Sequence, residues 1–413
     1  MRITSLSRVS AVVSSLAESS HPHGPRVVVS GNFATPAALL AAVDAALSTY
    51  RLNLLNAQQG IPSRDGVIHE TSFVGPGMRG SPTLHYVPTR LSLLPDLFAT
   101  ALVPDIVLLH CSMPVDGKVS LGVEVNVLPA AVEAARAGGG VVLAQLNSRM
   151  PYVFGDGELS VDAIDHAVEV DAELASPHSP QPDEASAAIG ERVSSMVPDG
   201  ATVQMGIGAI PDSALAGLTQ RRGLRIWSEM FSDGVLELDE LGALDPDAPL
   251  VASFVFGSPR LYTWLHRNAR VRLARTETVN HPGVIARQPA MTSINTALQV
   301  DLFGQVNASR LRGRIHSGFG GATDFLVGAL HAPGGQAFVA LRSWHPKAQV
   351  STIVPLLAEP ATSFQPSVVV TEQGVAHLRG RAEREQAAAI IDQAAHPDVR
   401  EQLRADAEAL GLR

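Results

Sequence analysis

Short apolar runs alternate along this chain with longer stretches whose apolar positions recur at helical spacing. Val27-Val28-Val29, Ile106-Val107-Leu108-Leu109, Val141-Val142-Leu143-Ala144 and Val368-Val369-Val370 read as buried strands. Leu128 to Ala135 and Ala382 to Ala395 read as helices between or after them. Strands that are apolar on both faces and separated by helices predict an α/β fold with mostly parallel sheets. At the start, Ile3, Leu6, Val9, Val12, Val13 and Leu16 recur at helical spacing with serines between them. That pattern predicts a short helix packed on the body, not a signal peptide.

The pattern repeats. Val27-Val28-Val29-Ser30-Gly31-Asn32-Phe33-Ala34-Thr35-Pro36 leads into an apolar helix, and so does Thr202-Val203-Gln204-Met205-Gly206-Ile207-Gly208-Ala209-Ile210-Pro211. Pro36 and Pro211 stand 175 positions apart, and at that offset Gly31 matches Gly206 and Leu40 matches Leu215. Each copy predicts a strand, a glycine turn and a helix whose first turn accepts proline. Gly117-Lys118-Val119-Ser120 and Gly304-Gln305-Val306-Asn307 form a fainter echo. Two similar open α/β domains follow, 1–178 and 179–413. Their boundary falls in the proline- and serine-rich Ser176-Pro177-His178-Ser179-Pro180-Gln181-Pro182, which cannot continue a helix or central strand. Ligands of such folds gather at the carboxyl ends of the strands, where both glycine turns sit.

A length of 413 residues exceeds one ordinary core, and 46% apolar against 17% charged residues describes a well-buried globular chain. With a net charge of −9 and no long basic run, nucleic acid is not an expected partner. No apolar run reaches the roughly 18 residues of a membrane span. The single cysteine, Cys111, excludes a disulfide within the chain and fits a cytoplasmic protein, with the thiol buried in a strand.

Chemistry concentrates in three places. The turn Gly206-Ile207-Gly208-Ala209-Ile210-Pro211 can direct backbone N–H groups at an anion or a developing oxyanion, or can be structural only. It is neither a dinucleotide fingerprint nor a Walker loop. About twenty positions on, Glu229 stands in Trp227-Ser228-Glu229-Met230-Phe231-Ser232-Asp233-Gly234, at a predicted strand end. Two readings stand: a desolvated carboxylate able to act as a covalent nucleophile, or a solvent-facing strand-end glutamate. Glu237, Asp239 and Glu240 fit a solvated helix face. In Gly318-Phe319-Gly320-Gly321-Ala322-Thr323-Asp324-Phe325 the glycines imply close backbone approach, and Asp324 is a candidate helix cap. Asn295, a polar amide in an apolar setting, needs a partner from the backbone or from substrate. No His-Glu-x-x-His metal site or Gly-x-Ser-x-Gly elbow occurs, and His21, His23, His110, His316 and His377 fit structural roles better than catalytic ones.

Matching stretches run nearly end to end: Gly80-Ser81-Pro82 with Tyr86-Val87-Pro88, Val119-Ser120-Leu121-Gly122, the Gly206 turn, Ser228 to Gly234, Ser293-Ile294-Asn295, Asp301 to Val306, Gly318 to Gly321, Thr371 to Ala376, Leu378-Arg379-Gly380 and Ala395-His396-Pro397. In these the chain resembles the acetyl-CoA hydrolase/transferase family, and within it the 4-hydroxybutyrate CoA-transferase branch.

The resemblance implies class I CoA-transferase chemistry on two similar α/β domains. Acyl-CoA and a short carboxylic acid such as acetate or 4-hydroxybutyrate would be the partners, and coenzyme A would be a substrate rather than a tightly bound cofactor. It implies no metal and a homo-oligomer. It assigns Glu229 as the nucleophile that passes through a glutamyl-CoA thioester. Gly206, Ile207, Gly208, Ala209 and Ile210, with Gly304, Gly320 and Gly321, fall on its CoA-contacting positions; Gly31 and Asn295 are candidates for substrate or oxyanion contact. Departures sit nearby: Ala322 where a glutamine is common, Asp116 before the first-half glycine turn where histidine is common, and Trp227 and Ser228 where histidine and threonine are common. They leave the reaction class standing and the substrate open. The alternatives are an acyl-CoA hydrolase on the same scaffold and a non-catalytic acyl-CoA-binding protein.

Overall fold

The computed structural model describes residues 1–15, 23–177, 181–361 and 365–412. His21 and Leu16 lie outside the described residues, as does the middle of the predicted boundary stretch. The chain divides into two compact units. The first comprises Met1–Pro177, Val251–Val279 and Ile315–Gly320; the second comprises His178–Leu250, Asn280–Arg314 and Gly321–Arg413. The main division is at 177/178, but the units are not contiguous: two later segments of chain belong with the first.

In the first unit, β1 (Arg2–Ile3), α1 (Leu6–Ser14), β2 (Arg26–Val29), α2 (Ala37–Ala46), β3 (Tyr50–Asn53), β4 (Val67–Thr71), β5 (Leu84–Tyr86), β6 (Ile106–Cys111), α3 (Leu128–Ala137), β7 (Val141–Asn147) and β8 (His166–Val170) follow in order. They build an eight-stranded sheet in the order β1-β8-β7-β6-β2-β3-β4-β5. Every pairing in it is parallel. The apolar runs explain this, since β2 and β6 are buried along their whole length. Val9 and Val13 of α1, Leu39, Leu40 and Val43 of α2, and Tyr50 and Leu52 share one core cluster with the strands. A buried ion pair sits inside: Arg26 Nε donates to Glu70 at 2.7 Å and Asn53 Nδ2 donates to the same carboxylate at 2.9 Å.

The second unit repeats the plan. Here α4 (Glu184–Met196), β9 (Thr202–Met205), α5 (Ala209–Gly217), β10 (Arg225–Trp227), α6 (Asp233–Glu240), β11 (Thr292–Thr296), α7 (Ala322–His331), β12 (Gln336–Ala340), β13 (Val368–Val370), β14 (Val375–His377) and α8 (Glu383–Ala389) carry the sheet and its covering helices. The strand order is β10-β9-β11-β12-β13-β14. All of these pairings are parallel except the last. The run β3-β2-β6-β7-β8 thus has its counterpart in β10-β9-β11-β12-β13, which is the repeat read from the sequence. The predicted helix 382–395 is α8 followed by a π turn at Ile390–Ala394.

This order locates where chemistry belongs. In each unit the chain winds outward on both sides of one strand: β2 lies between β3 and β6, and β9 lies between β10 and β11. The crevice beyond the carboxyl end of such a strand is where open α/β sheets place ligands. The two glycine turns follow β2 and β9. At the 175-residue offset, the position matching Glu229 in the first unit is Leu54, a fully buried apolar residue. The nucleophile candidate therefore has no acidic counterpart at that position.

Candidate active site

Glu229 lies between β10 and a second short strand, Met230–Phe231. Both of its neighbours are tied to one residue of β9. Ser228 Oγ donates to the Met205 carbonyl at 3.2 Å, and the Met205 N–H donates to Ser228 Oγ at 3.3 Å. Met230 pairs with Met205 in antiparallel register. Ser228 is fully buried, so its hydroxyl serves the backbone and not substrate. Downstream, Ser232-Asp233-Gly234 begins α6. Gly234 lets α6 close on α5, because a β-carbon there would lie 2.6 Å from Leu215 Cδ1. Each position of the motif thus has a physical duty: anchor, carboxylate, core, helix start and close packing.

The carboxylate of Glu229 meets three groups, all within the second unit. Asn280 Nδ2 donates to Oε2 at 2.8 Å, and the Gly321 N–H also donates to the carboxylate. The buried Asp324 acts on it through charge. Gly321 comes so close that a β-carbon on it would sit 1.8 Å from Glu229 Oε2 and 2.2 Å from Asn280 Nδ2. The residue as a whole is of intermediate exposure, whereas protein atoms crowd its carboxyl closely enough for desolvation to govern its acidity. Burial pushes the carboxyl up to about 7; the Asn280 hydrogen bond pulls it down, the Asp324 charge raises it, and the Gly321 N–H lowers it. Such a group is half ionised near neutral pH, and its anion is poorly hydrated and hence reactive. The folded state holds this proton more tightly than the unfolded chain does. Ionising Glu229 therefore costs stability, progressively as pH rises from the ordinary carboxylate range through 7.

The remaining predicted residues separate into groups. Gly206 and Gly208 border an open turn: only Pro211 lies near a β-carbon built on Gly206, and nothing lies near one on Gly208. Gly208 adopts φ 109°, a conformation that favours glycine, as the residue before α5. Ile207 between them is 47% exposed, so the turn presents backbone and an apolar side chain to whatever approaches. Ala209 and Ile210 open α5. Gly304 instead lines a separate small cavity with Phe303, Leu378 and Gln386, and a β-carbon on it would meet Leu378 at 3.4 Å. Gly320 and Gly31 belong to the first unit, where a β-carbon would strike the Phe73 ring and the Leu55 carbonyl respectively, so packing accounts for both. Asn295 is satisfied by its neighbours: its Nδ2 donates to Gln204 Oε1 at 3.0 Å and Ser293 Oγ at 2.8 Å, and its Oδ1 accepts from Gln204 Nε2 at 3.4 Å. The asparagine that touches Glu229 is Asn280, which the sequence reading missed. Its one local signal is its place before His281-Pro282, at the junction between two short helices. Asp324 is not the helix cap; Gly321 holds that position and Asp324 is the third residue of α7.

Other groups are structural. Cys111 is fully buried, and burial pushes its thiol well above the usual range. His110 is driven down to about 4 by burial and hence neutral near pH 7, its Nδ1 bonding the Ala34 carbonyl at 3.1 Å. Among the described residues no three His, Cys, Asp or Glu side chains assemble as a metal site, and no helix is long and apolar enough to cross a membrane.

Two α/β units of one topology, each wound outward from a central strand, are the architecture of a CoA-transferase. The 4-hydroxybutyrate CoA-transferase of Porphyromonas gingivalis has this fold, with a TM-score of 0.82 and 30% identity over 99% of this chain and 98% of that one. RipA of Yersinia pestis gives a TM-score of 0.90 at 27% identity, over 100% of this chain and 98% of that one. The chain belongs to the acetyl-CoA hydrolase/transferase family: the family's N-terminal domain matches residues 26–178 and its C-terminal domain residues 257–407. The 4-hydroxybutyrate coenzyme A transferase of Clostridium kluyveri is 38% identical over 81% of this chain and 80% of its own length.

Proposed function

We propose that this enzyme exchanges CoA between a short-chain acyl-CoA and a carboxylic acid such as acetate or 4-hydroxybutyrate, through a thioester formed on Glu229. The observation that carries the reading is the environment of one carboxylate: crowded by protein, half ionised near neutral pH, and already held by two donors. The acceptor class is argued from the C. kluyveri and P. gingivalis relatives, both named for 4-hydroxybutyrate.

A Glu229 oxygen attacks the thioester carbonyl, the carbon–sulfur bond breaks, and CoA thiolate leaves a mixed anhydride. The thiolate then attacks the glutamyl carbon, expelling the first carboxylate and leaving glutamyl-CoA. An incoming carboxylate reverses both steps and departs as the new acyl-CoA. When sulfur attacks the glutamyl carbon, the remaining glutamyl oxygen becomes an oxyanion. Asn280 Nδ2 and the Gly321 N–H lie at this carboxyl group before the reaction starts, so little reorganisation is needed. The open Gly206–Gly208 turn is the element we assign to CoA.

Incubation with acyl-CoA and no acceptor is expected to add the mass of CoA to the peptide containing Glu229. Hydroxylamine should convert that adduct to a hydroxamate at the same residue, as read by mass spectrometry. CoA found on another peptide, or none, would sink the mechanism. Thiol release without an acceptor as fast as exchange with acetate would instead identify a hydrolase. The pH profile supplies a second check. Since Glu229 must be ionised to attack, kcat/KM is expected to fall about tenfold per unit below an inflection near pH 7. An inflection at pH 4 to 5 would mean an ordinary, hydrated carboxylate.

A further inference from the structure

We propose that Asp324 is a positioning residue for this reaction, whose buried carboxylate drives Glu229 out of its free anionic state and into its neutral acylated states. The inference rests on the reading of Glu229 as the nucleophile. Asp324 is fully buried. It lies three residues beyond Gly321, at the start of a ten-residue helix. Residues three apart share one helix face, with β-carbons about 5–6 Å apart. A β-carbon on Gly321 would sit 1.8 Å from Glu229 Oε2. Asp324 Cβ therefore lies within about 8 Å of the nucleophile's oxygen. Of the groups acting on the Glu229 carboxyl, Asn280 Nδ2 and the Gly321 N–H are neutral donors, the second from the same helix start as Asp324, and Asp324 is the ionisable one.

Two carboxylates buried this close repel with little screening. The chemistry relieves the repulsion. When a Glu229 oxygen bonds the acyl carbon and the carbon–sulfur bond breaks, the negative charge leaves with sulfur. When the thiolate in turn bonds the glutamyl carbon and the anhydride bond breaks, the charge leaves with the released carboxylate. In both covalent states residue 229 is neutral. The two donors do the reverse, because they stabilise the resting carboxylate as well as the oxyanion. The part of that stabilisation common to both states gives no acceleration. Asp324 offsets the resting-state part and raises the fraction of enzyme that is acylated.

The test is Asp324→Asn, mixed with acetyl-CoA without acceptor and read by intact mass, together with its pH profile. The ratio of CoA-bearing to free enzyme is expected to fall at least tenfold, and the acid inflection to move about one unit or more below pH 7. Asp324→Glu, which keeps the charge, is expected to restore the inflection. A ratio and an inflection both at wild-type values would overturn the proposal, because a merely structural Asp324 moves neither. Should Asp324→Asn fail to fold, Asp324→Ser is read in the same two ways, with the same outcomes for and against. Exchange lost in Glu229→Gln with an unchanged profile in Asp324→Asn rejects Asp324 alone; exchange surviving in Glu229→Gln rejects the nucleophile itself.

Discussion

Glu229→Gln is expected to lower CoA exchange by about 10⁴-fold or more while leaving the fold intact. Glutamine keeps the size and one acceptor of the side chain but cannot form the anhydride, so the covalent route closes and no slower version of it remains. The fold should survive because the neighbours of Glu229 do the structural work. Ser228 and Met230 are fixed to Met205, and Phe231 is fully buried. Glutamine also removes a charge that is costly to bury, so above pH 7 the variant should be at least as stable as wild type. Steady-state exchange assays and melting curves at pH 8 provide the two readings. Activity within tenfold of wild type would remove Glu229 from the mechanism.

Gly321→Ala should have the second largest effect. Its added methyl would occupy space 1.8 Å from Glu229 Oε2 and 2.2 Å from Asn280 Nδ2, so both side-chain ends must move. The backbone tolerates alanine there: φ is −95° and ψ −3°, an ordinary helical conformation. The cost falls on the carboxylate's hydrogen bonds and hardly at all on folding. A drop in kcat of about 10²–10³, the usual effect of losing an oxyanion donor, is expected with a change in melting temperature of a few degrees at most. A variant with normal kcat would show that the geometry of Glu229 does not need Gly321, and one that simply unfolds would show that Gly321 is needed for packing.

Much of this arrangement was legible in the sequence because it rests on local patterns. Fully apolar runs between helical stretches specify parallel strands, and a 175-residue echo of strand, glycine turn and helix specifies the duplicated topology. Glu229 stood out as a carboxylate framed by apolar and turn residues at a strand end. What stayed hidden was contact across sequence distance. Asn280 is 51 residues from Glu229 and Gly321 is 92, and no periodicity links them. Asn295 drew attention as a buried amide, but strand pairing set Gln204 beside it, the two-residue strand repeat put Ser293 on the same face, and they satisfied it. Gly321 was recognised as a place of close approach, and the Glu229 carboxylate is one group that approaches it. The two interleaved segments, 251–279 and 315–320, also left no mark in composition at their ends.

The double fastening of residues 228 and 230 to Met205 bears on how such enzymes diversify. Because residues 228 and 230 fasten the backbone on both flanks of Glu229 to a central strand, its attachment there does not depend on which side chain stands at position 227. Trp227 can stand in place of the family's usual histidine without loosening that attachment. New carboxylic acids could then be recruited by altering such positions one at a time, on an unchanged chemical engine.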